Sequence, residues 1–304
     1  MGNIVLFGAG ASNGTLNVLP ESPPLGSGLY PKLTQAFPST WGILPAPLVI
    51  KFESYFEDGM DELWQNHSNV VPNLMQDTAC FFARYRLDET QGDYYSRLIL
   101  YLQHARKLDN YAFSTINYEC LIEHALELAG RKVCYGPKYS TNSDISTLWK
   151  IHGSCNFTVK GITAQKGVGI DTKYTSNATF HGSGINFINR TQVPAYCATS
   201  TLYPCMSLYA PGKPNQMAKA MIESMQQNWQ LYVSAADKII VIGAAPYLPD
   251  THIWDHIADC PGHLYYIGDE EKFMEWVRNR RETNTFSHLG DEIAKCYGNL
   301  EAIL

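Results

Sequence analysis

Ile4-Val-Leu-Phe7 is an unbroken apolar run that stops at Gly8-Ala-Gly10. A continuous β-branched and aromatic run closed by glycine predicts a strand buried on both faces, the central kind in a parallel sheet. The pattern returns downstream. Tyr111-Ala-Phe-Ser-Thr-Ile116 ends at Asn117, and Thr147-Leu-Trp-Lys-Ile151 ends at His152-Gly153-Ser154. Lys238-Ile-Ile-Val-Ile242 ends at Gly243, and His263-Leu-Tyr-Tyr-Ile267 ends at Gly268-Asp269. Arg131 to Tyr135 is a shorter candidate.

Between these runs the apolar spacing changes to three and four, which predicts helices. Leu74, Met75, Thr78, Phe81, Phe82 and Tyr85 form one such face; Tyr94, Leu98, Tyr101 and Leu102 form another. Cys120, Leu121, Ala125, Leu126 and Ala129 form a third, stopped by Gly130. Met217 to Ala236 is a fourth helix, with Met221, Ile222, Met225, Trp229, Tyr232 and Val233 on one side. These aromatic and methionine stripes read as packing. Ser12 to Gly28 and Pro38 to Pro47, rich in breakers, predict loops around a short helix, Leu29 to Phe37. Strands alternating with helices predict an α/β fold with a doubly wound, mostly parallel, Rossmann-like sheet.

Two stretches interrupt that alternation. Residues from about 38 to 107 predict a helical insertion packed on the sheet. Residues from about 156 to 215, rich in Gly, Thr, Asn and Tyr, predict an irregular, β-rich insertion of hairpins and loops. The whole chain, 1–304, is expected to be one domain carrying both.

Composition removes several function classes. A net charge of −6 with no Lys/Arg cluster argues against a nucleic-acid surface. The longest apolar run, Ile239 to Leu248, is too short to span a bilayer. The N-terminus lacks the form of a signal peptide, and the eight cysteines form no Cys-x-x-Cys pair. A cytoplasmic protein without a structural zinc ribbon is the expectation.

Ligands of parallel α/β sheets bind beyond the carboxyl ends of the strands. The residues there are Gly8, Ala9, Gly10, Ala11 and Ser12; Thr115, Asn117 and Glu119; His152, Gly153 and Ser154; Gly243; and Gly268 with Asp269. Glycines 8 and 10 permit a sharp turn whose following amides can face an anion. Gly8-x-Gly10 opens the dinucleotide fingerprint, but Asn13 stands in place of the third glycine. Each polar residue also has a structural reading: Asn117 as the N-cap of the next helix, His152 as a satisfied strand-end imidazole, Asp269 as a cap for the helix from Glu270. His252 and His256 lie one helical turn apart, a zinc-compatible spacing, without the glutamate a metalloprotease helix uses. Asp250 is expected to cap that helix, and no metal is expected.

In order and spacing, Gly8-Ala-Gly10-Ala-Ser12, Thr115-x-Asn117-x-Glu119, Ile151-His152-Gly153-Ser154 and Val241-Ile-Gly243 resemble the sirtuin fold family over most of the sheet domain. The resemblance implies that Gly8 to Ser12 hold the pyrophosphate of NAD, with Thr115 and Gly153 in the same binding set. It implies that Asn117 contacts the nicotinamide ribose, that His152 is the general base, and that Gly243, Gly268 and Asp269 line the adenosine half. Deacetylating sirtuins carry Gln where this chain has Ile116, Asp where it has Glu119, and a four-cysteine zinc module with no counterpart here. These departures, with Pro23-Pro24-Leu25-Gly26 and Leu248-Pro249-Asp250-Thr251-His252, look like the bacterial sirtuin-like NAD hydrolases of antiphage defence. That resemblance implies an NAD glycohydrolase releasing nicotinamide and ADP-ribose. It further implies NAD as substrate, no metal, and restraint of an abortive-infection effector by a regulatory protein partner or homo-oligomerisation. The alternatives are a non-catalytic NAD or ADP-ribose sensor subunit and, further off, an NAD-dependent protein deacylase.

Overall fold

A computed structural model describes residues 2–136, 144–161, 182–209, 216–247, 249–281 and 285–304. The chain opens with β1 (Asn3–Phe7), a short helix α1 (Ala9–Gly14) and the two-residue β2 (Val18–Leu19). Helices α2 (Gly26–Ala36), α3 (Ala46–Ser54), α4 (Phe56–Asn66) and α5 (Val71–Ala83) follow, and β3 (Arg86–Leu87) pairs antiparallel with β2. Next come α6 (Tyr94–His104), β4 (Tyr111–Thr115), α7 (Leu121–Leu128), β5 (Lys132–Cys134) and β6 (Ile145–Lys150). The antiparallel hairpin β7 (Phe157–Lys160) and β8 (Gly184–Phe187) and helix α8 (Val193–Thr199) lead to α9 (Lys219–Ser234). The chain then runs through β9 (Lys238–Ile242), α10 (Thr251–Asp259), β10 (His263–Ile267), α11 (Glu270–Arg280), β11 (Phe286–Gly290) and α12 (Ile293–Ile303).

Seven of these strands form one sheet among the described residues, in the order β11-β10-β9-β1-β4-β6-β5. Every neighbouring pair is parallel, and Val5 of β1 lies between Phe113 of β4 and Ile240 of β9. All three side chains are buried, as an all-apolar central run requires. The chain leaves β1 in one direction, toward β4 and β6, and leaves β9 in the other, toward β10 and β11. Right-handed crossovers therefore put the connecting helices on opposite faces. Helices α6, α7 and α12 pack together on one side, and α9, α10 and α11 pack together on the other. The fold is thus α/β and doubly wound, with its switch point between β1 and β9.

The helices of the first insertion close around an aromatic cluster. Tyr30 stacks on Phe52 with centroids 5.1 Å apart, and Trp41 meets Phe52 edge-on at 5.4 Å. The α5 stripe predicted from Leu74 to Phe82 is buried. Helix α6 packs instead against α7 and α12, in the helical layer of the sheet.

Three segments differ from the sequence expectation. The predicted loop from Ser12 to Gly28 includes the last turn of α1 and strand β2, because Ala9 to Ser12 carry a short helix directly off β1. The stretch 156–215 does hold a hairpin, but also α8, which starts with Pro194 in its first turn, where a missing N–H costs nothing. Strand β11 and helix α12 have no counterpart in the sequence pattern described above. Phe286-Ser-His-Leu-Gly290 is a half-buried edge strand and lacks the apolar run of the central ones. Residues 140–143 of the loop expected between Ser140 and Ser146, and residues 162–181 and 210–215 of the second insertion, lie outside the described residues.

Beneath the strand ends sits a buried ion pair. Lys150, the last residue of β6, places its Nζ 3.0 Å from Glu123 Oε1 of α7 and also donates to the Glu119 carbonyl, with both charged side chains almost wholly buried. Burial pulls Lys150 down, but Glu123, Cys120 and Glu119 outweigh it and raise its pKa, so the ammonium persists. Burial pushes the Glu123 carboxyl up, against the pull of Lys150. Lys150→Met strands a buried carboxylate and is expected to cost about 3–5 kcal/mol in urea unfolding. Adding Glu123→Leu is expected to recover most of that loss; a single variant as stable as wild type would contradict the pairing.

Candidate functional site

The turn after β1 is pressed against the turn after β9. Gly8 N donates to Ile242 O at 2.9 Å and Gly10 N to Gly243 O at 2.8 Å. Gly243 has φ +67, and a Cβ there would stand 2.0 Å from Ala11 N; one at Gly8 would stand 2.5 Å from Ala244 Cα. These glycines are needed because two backbones touch. Ala11 N also donates internally, to Gly8 O at 3.0 Å. The amides of Gly8, Gly10 and Ala11 are therefore engaged within the protein. This narrows the expectation that the turn offers its amides to an anion.

Asn117 fastens the end of β4 to that turn. Its Nδ2 donates to Gly8 O at 3.0 Å, Ser12 Oγ at 2.9 Å and Glu119 Oε1 at 3.0 Å, while its backbone N donates to Thr115 Oγ1. Ser12 Oγ donates to Glu119 Oε1 at 2.5 Å and lies 2.8 Å from the Tyr95 hydroxyl. A serine hydroxyl has one proton and two lone pairs, so with the proton on Glu119, Tyr95 and Asn117 both donate into the oxygen. The hydroxyl is saturated. Asn117 is not the N-cap of α7; that position is Cys120, and Glu119 Oε2 takes the Leu121 amide at 2.8 Å. The short Asn117-x-Glu119 spacing lets one residue bind the turn and the other the helix.

His152 occupies the corresponding place on the neighbouring strand. Thr115 pairs with Lys150, and each polar residue lies two positions beyond its member of that pair. The segment around Cys205 to Ser207 clamps its backbone. Ser207 N donates to His152 O at 2.8 Å, and a Cβ on Gly153, at φ +77, would sit 1.9 Å from Cys205 O. The His152 ring is buried, and its Nε2 lies 2.9 Å from His252 Nε2. Two amides of α9 hold both segments: Gln226 Nε2 donates to Ile151 O at 2.9 Å and Gln230 Nε2 to His252 O at 3.1 Å.

Asp250 stands at the N-cap position of α10 but makes no side-chain cap bond, contrary to the expectation that it serves that helix. It is buried, and its carboxylate belongs with the two imidazoles: ligand atoms of His152, Asp250 and His252 all lie within 4.8 Å of one another. His256, one turn further along α10, is not a member of that group. The insertion reaches this place as well. Tyr55 hydrogen-bonds Tyr247 and feels the Asp250 charge; burial is the first cause that raises its phenol pKa.

A cavity of about 670 Å³ opens at the switch point. Ala9, Gly10, Gly243, Gly268 and Asp269 line it, with Asn13, Gly14, Leu25, Ile116 and Lys272. Asp269 does cap α11, accepting from Lys272 N at 3.0 Å; that bond, ahead of the Lys272 ammonium, holds its carboxyl below the usual range.

The strand-end residues thus divide. Gly8, Ser12, Thr115 and Asn117 share one hydrogen-bonded network, and Ala9, Gly10, Gly243, Gly268 and Asp269 line the cavity. Ala11 is buried under Gly243, and His152 with Gly153 sits at the β6 end beside His252. Tyr95 and Asp250 escape the sequence reading as site residues; His252 is singled out there only with His256 as a zinc-compatible pair, whereas the structure sets it against His152, 100 positions away. No protein-family model matches the chain, and no curated protein is significantly similar to it.

Ser12→Ala removes the oxygen on which Tyr95, Asn117 and Glu119 converge. The expected cost is about 1–3 kcal/mol in denaturant unfolding, because buried partners lose their bonds. Unchanged stability would show that the network does not hold the turn.

Proposed function

We propose that the protein hydrolyses NAD at the nicotinamide–ribose bond, releasing nicotinamide and ADP-ribose. One observation carries the reading: a cavity of nucleotide size lies at the switch point, lined by Ile116, while Asn117 and the buried His152, at the ends of β4 and β6, stand outside that lining but next to it in the sheet. Pockets of about 300–1,000 Å³ suit ligands of this kind. The order of strand-end motifs resembles the sirtuin family, and Ile116, Glu119 and the missing cysteine module resemble its antiphage NAD hydrolases.

In this reading the C1′–N bond breaks and its electron pair goes to nicotinamide, cancelling the positive charge of the ring. Water adds its oxygen to the ribose C1′, and His152 takes the proton. His252, in contact with it, shares the resulting charge. The Asn117 Nδ2 is committed to Gly8, Ser12 and Glu119, so its Oδ1 is the atom that accepts a ribose hydroxyl. Fixing the ribose in this way is worth more than any covalent help, since the reaction needs chiefly orientation and a base. Deacylation is disfavoured because no four-cysteine module supports an acyl-lysine groove. The wider expectation is a cytoplasmic defence effector, kept quiet by a protein partner or by assembly.

Purified protein incubated with NAD is expected to release nicotinamide. His152→Ala is expected to lower turnover by about 10²–10⁴-fold. Asn117→Ala is expected to abolish it with an unchanged circular dichroism spectrum. Wild-type turnover in either variant refutes the assignments. Asp269 puts a carboxylate in the cavity wall, so NADP, with its extra phosphate, is expected to be the poorer substrate. Asp269→Asn is expected to narrow that difference, as measured by kcat/KM for the two dinucleotides.

A further inference from the structure

His152 and His252 meet nitrogen to nitrogen, 2.9 Å apart, with the Asp250 carboxylate beside them. A single proton can bridge such a pair, and a metal ion can do the same while using both lone pairs. With metal–nitrogen bonds of about 2.0–2.1 Å, two imidazoles on one tetrahedral ion place their nitrogens about 3.3–3.4 Å apart. The observed separation is shorter by about 0.4 Å, a gap that small rotations of the two rings open. Two neutral imidazoles and one carboxylate also form a donor set that suits zinc and its neighbours among the divalent transition metals.

The scaffold is built to hold these atoms. Asp250 and His252 come from the start of α10, His152 from the end of β6, and the amides of Gln226 and Gln230 bind the backbone of both segments. Ser207 N fixes the carbonyl of His152. His152 and Asp250 are buried, which removes most of the competition from bulk water.

We propose that His152, His252 and Asp250 form a three-ligand site for a divalent transition-metal ion, zinc first among them, with a fourth position open to water or a ligand. A neutral imidazole has one lone pair, and an ion on Nε2 takes it. His152 cannot then accept a proton. Under the NAD-cleavage reading, on which this consequence rests but the site itself does not, the ion-loaded protein is the silent form and the stripped protein the active one.

The test uses the full chain, stripped with a chelator, desalted and titrated with zinc chloride. Bound metal is read by mass spectrometry after gel filtration, and stability by thermal melting. Wild type is expected to bind about one ion per chain at this single site and to melt at a higher temperature with it. His252→Ala and the near-isosteric Asp250→Asn are each expected to lose both effects while keeping the wild-type circular dichroism spectrum. His256→Ala, outside the cluster, is expected to retain them. Failure of stripped wild type to take up zinc, or equal uptake by wild type and both cluster variants, overturns the site. Nicotinamide release measured on the same samples separates the two proposals. Zinc uptake that stops release supports both, whereas uptake with release undiminished supports the site and removes His152 from the role of base.

Discussion

The contact on which the rest of the structure depends is backbone against backbone. The turn after β1 and the turn after β9 approach so closely that Gly8, Gly10 and Gly243 have no room for a Cβ. This happens at the switch point, where β1 leads to β4 on one side and β9 leads to β10 on the other, so the junction also fixes where a crevice can form. The cavity lies over it, and the network of Ser12, Asn117, Glu119 and Tyr95 braces its side. A side chain larger than hydrogen at any of the three glycines separates β1 from β9 before it reaches any ligand.

The strand-end chemistry rests on an unusual foundation for a hydrophobic sheet. Lys150 ends β6 two residues before His152, and its ammonium binds the carbonyl of Glu119, two residues after Asn117, as well as the Glu123 carboxylate. One buried cation therefore ties together the segments carrying both candidate catalytic side chains. Removing either partner of a buried pair costs far more than the pair contributes over an apolar replacement. The pair thereby fixes the relative placement of two loops more than it stabilises the fold.

Much of the sheet was legible from the chain alone, and the reason is burial. β1 and β9 are covered on both faces and so appear as continuous apolar runs, and β4, β6 and β10 carry enough buried apolar residues to be marked as well. β11 lies at the edge, where Ser287 and His288 are tolerated, and no such run marks it. The positions of Asn117 and His152 were also readable, since parallel strands bring their carboxyl ends to one side. Their partners were not. Local reasoning offers a helix cap as the second reading of Asn117 and the first of Asp250, the commonest use of such residues beside a helix. The structure ties Asn117 to Ser12 and sets the Asp250 carboxylate, at the N-cap position of α10, near His152 and His252, neighbours that only the tertiary fold supplies. Glycine carried the same ambiguity: its pattern marks close approach, but not whether the neighbour is a ligand or another strand.

The saturated hydroxyl of Ser12 has a consequence for recognition. Its proton and lone pairs are all engaged, and the amides of Gly8, Gly10 and Ala11 are spent on carbonyls of the protein itself. The turn beside the cavity is consequently finished when folding ends. Ordering a side chain at an interface typically consumes about 0.5–1.5 kcal/mol of association free energy. Here that entropy is surrendered once, by the chain, and the backbone of this turn needs no further ordering.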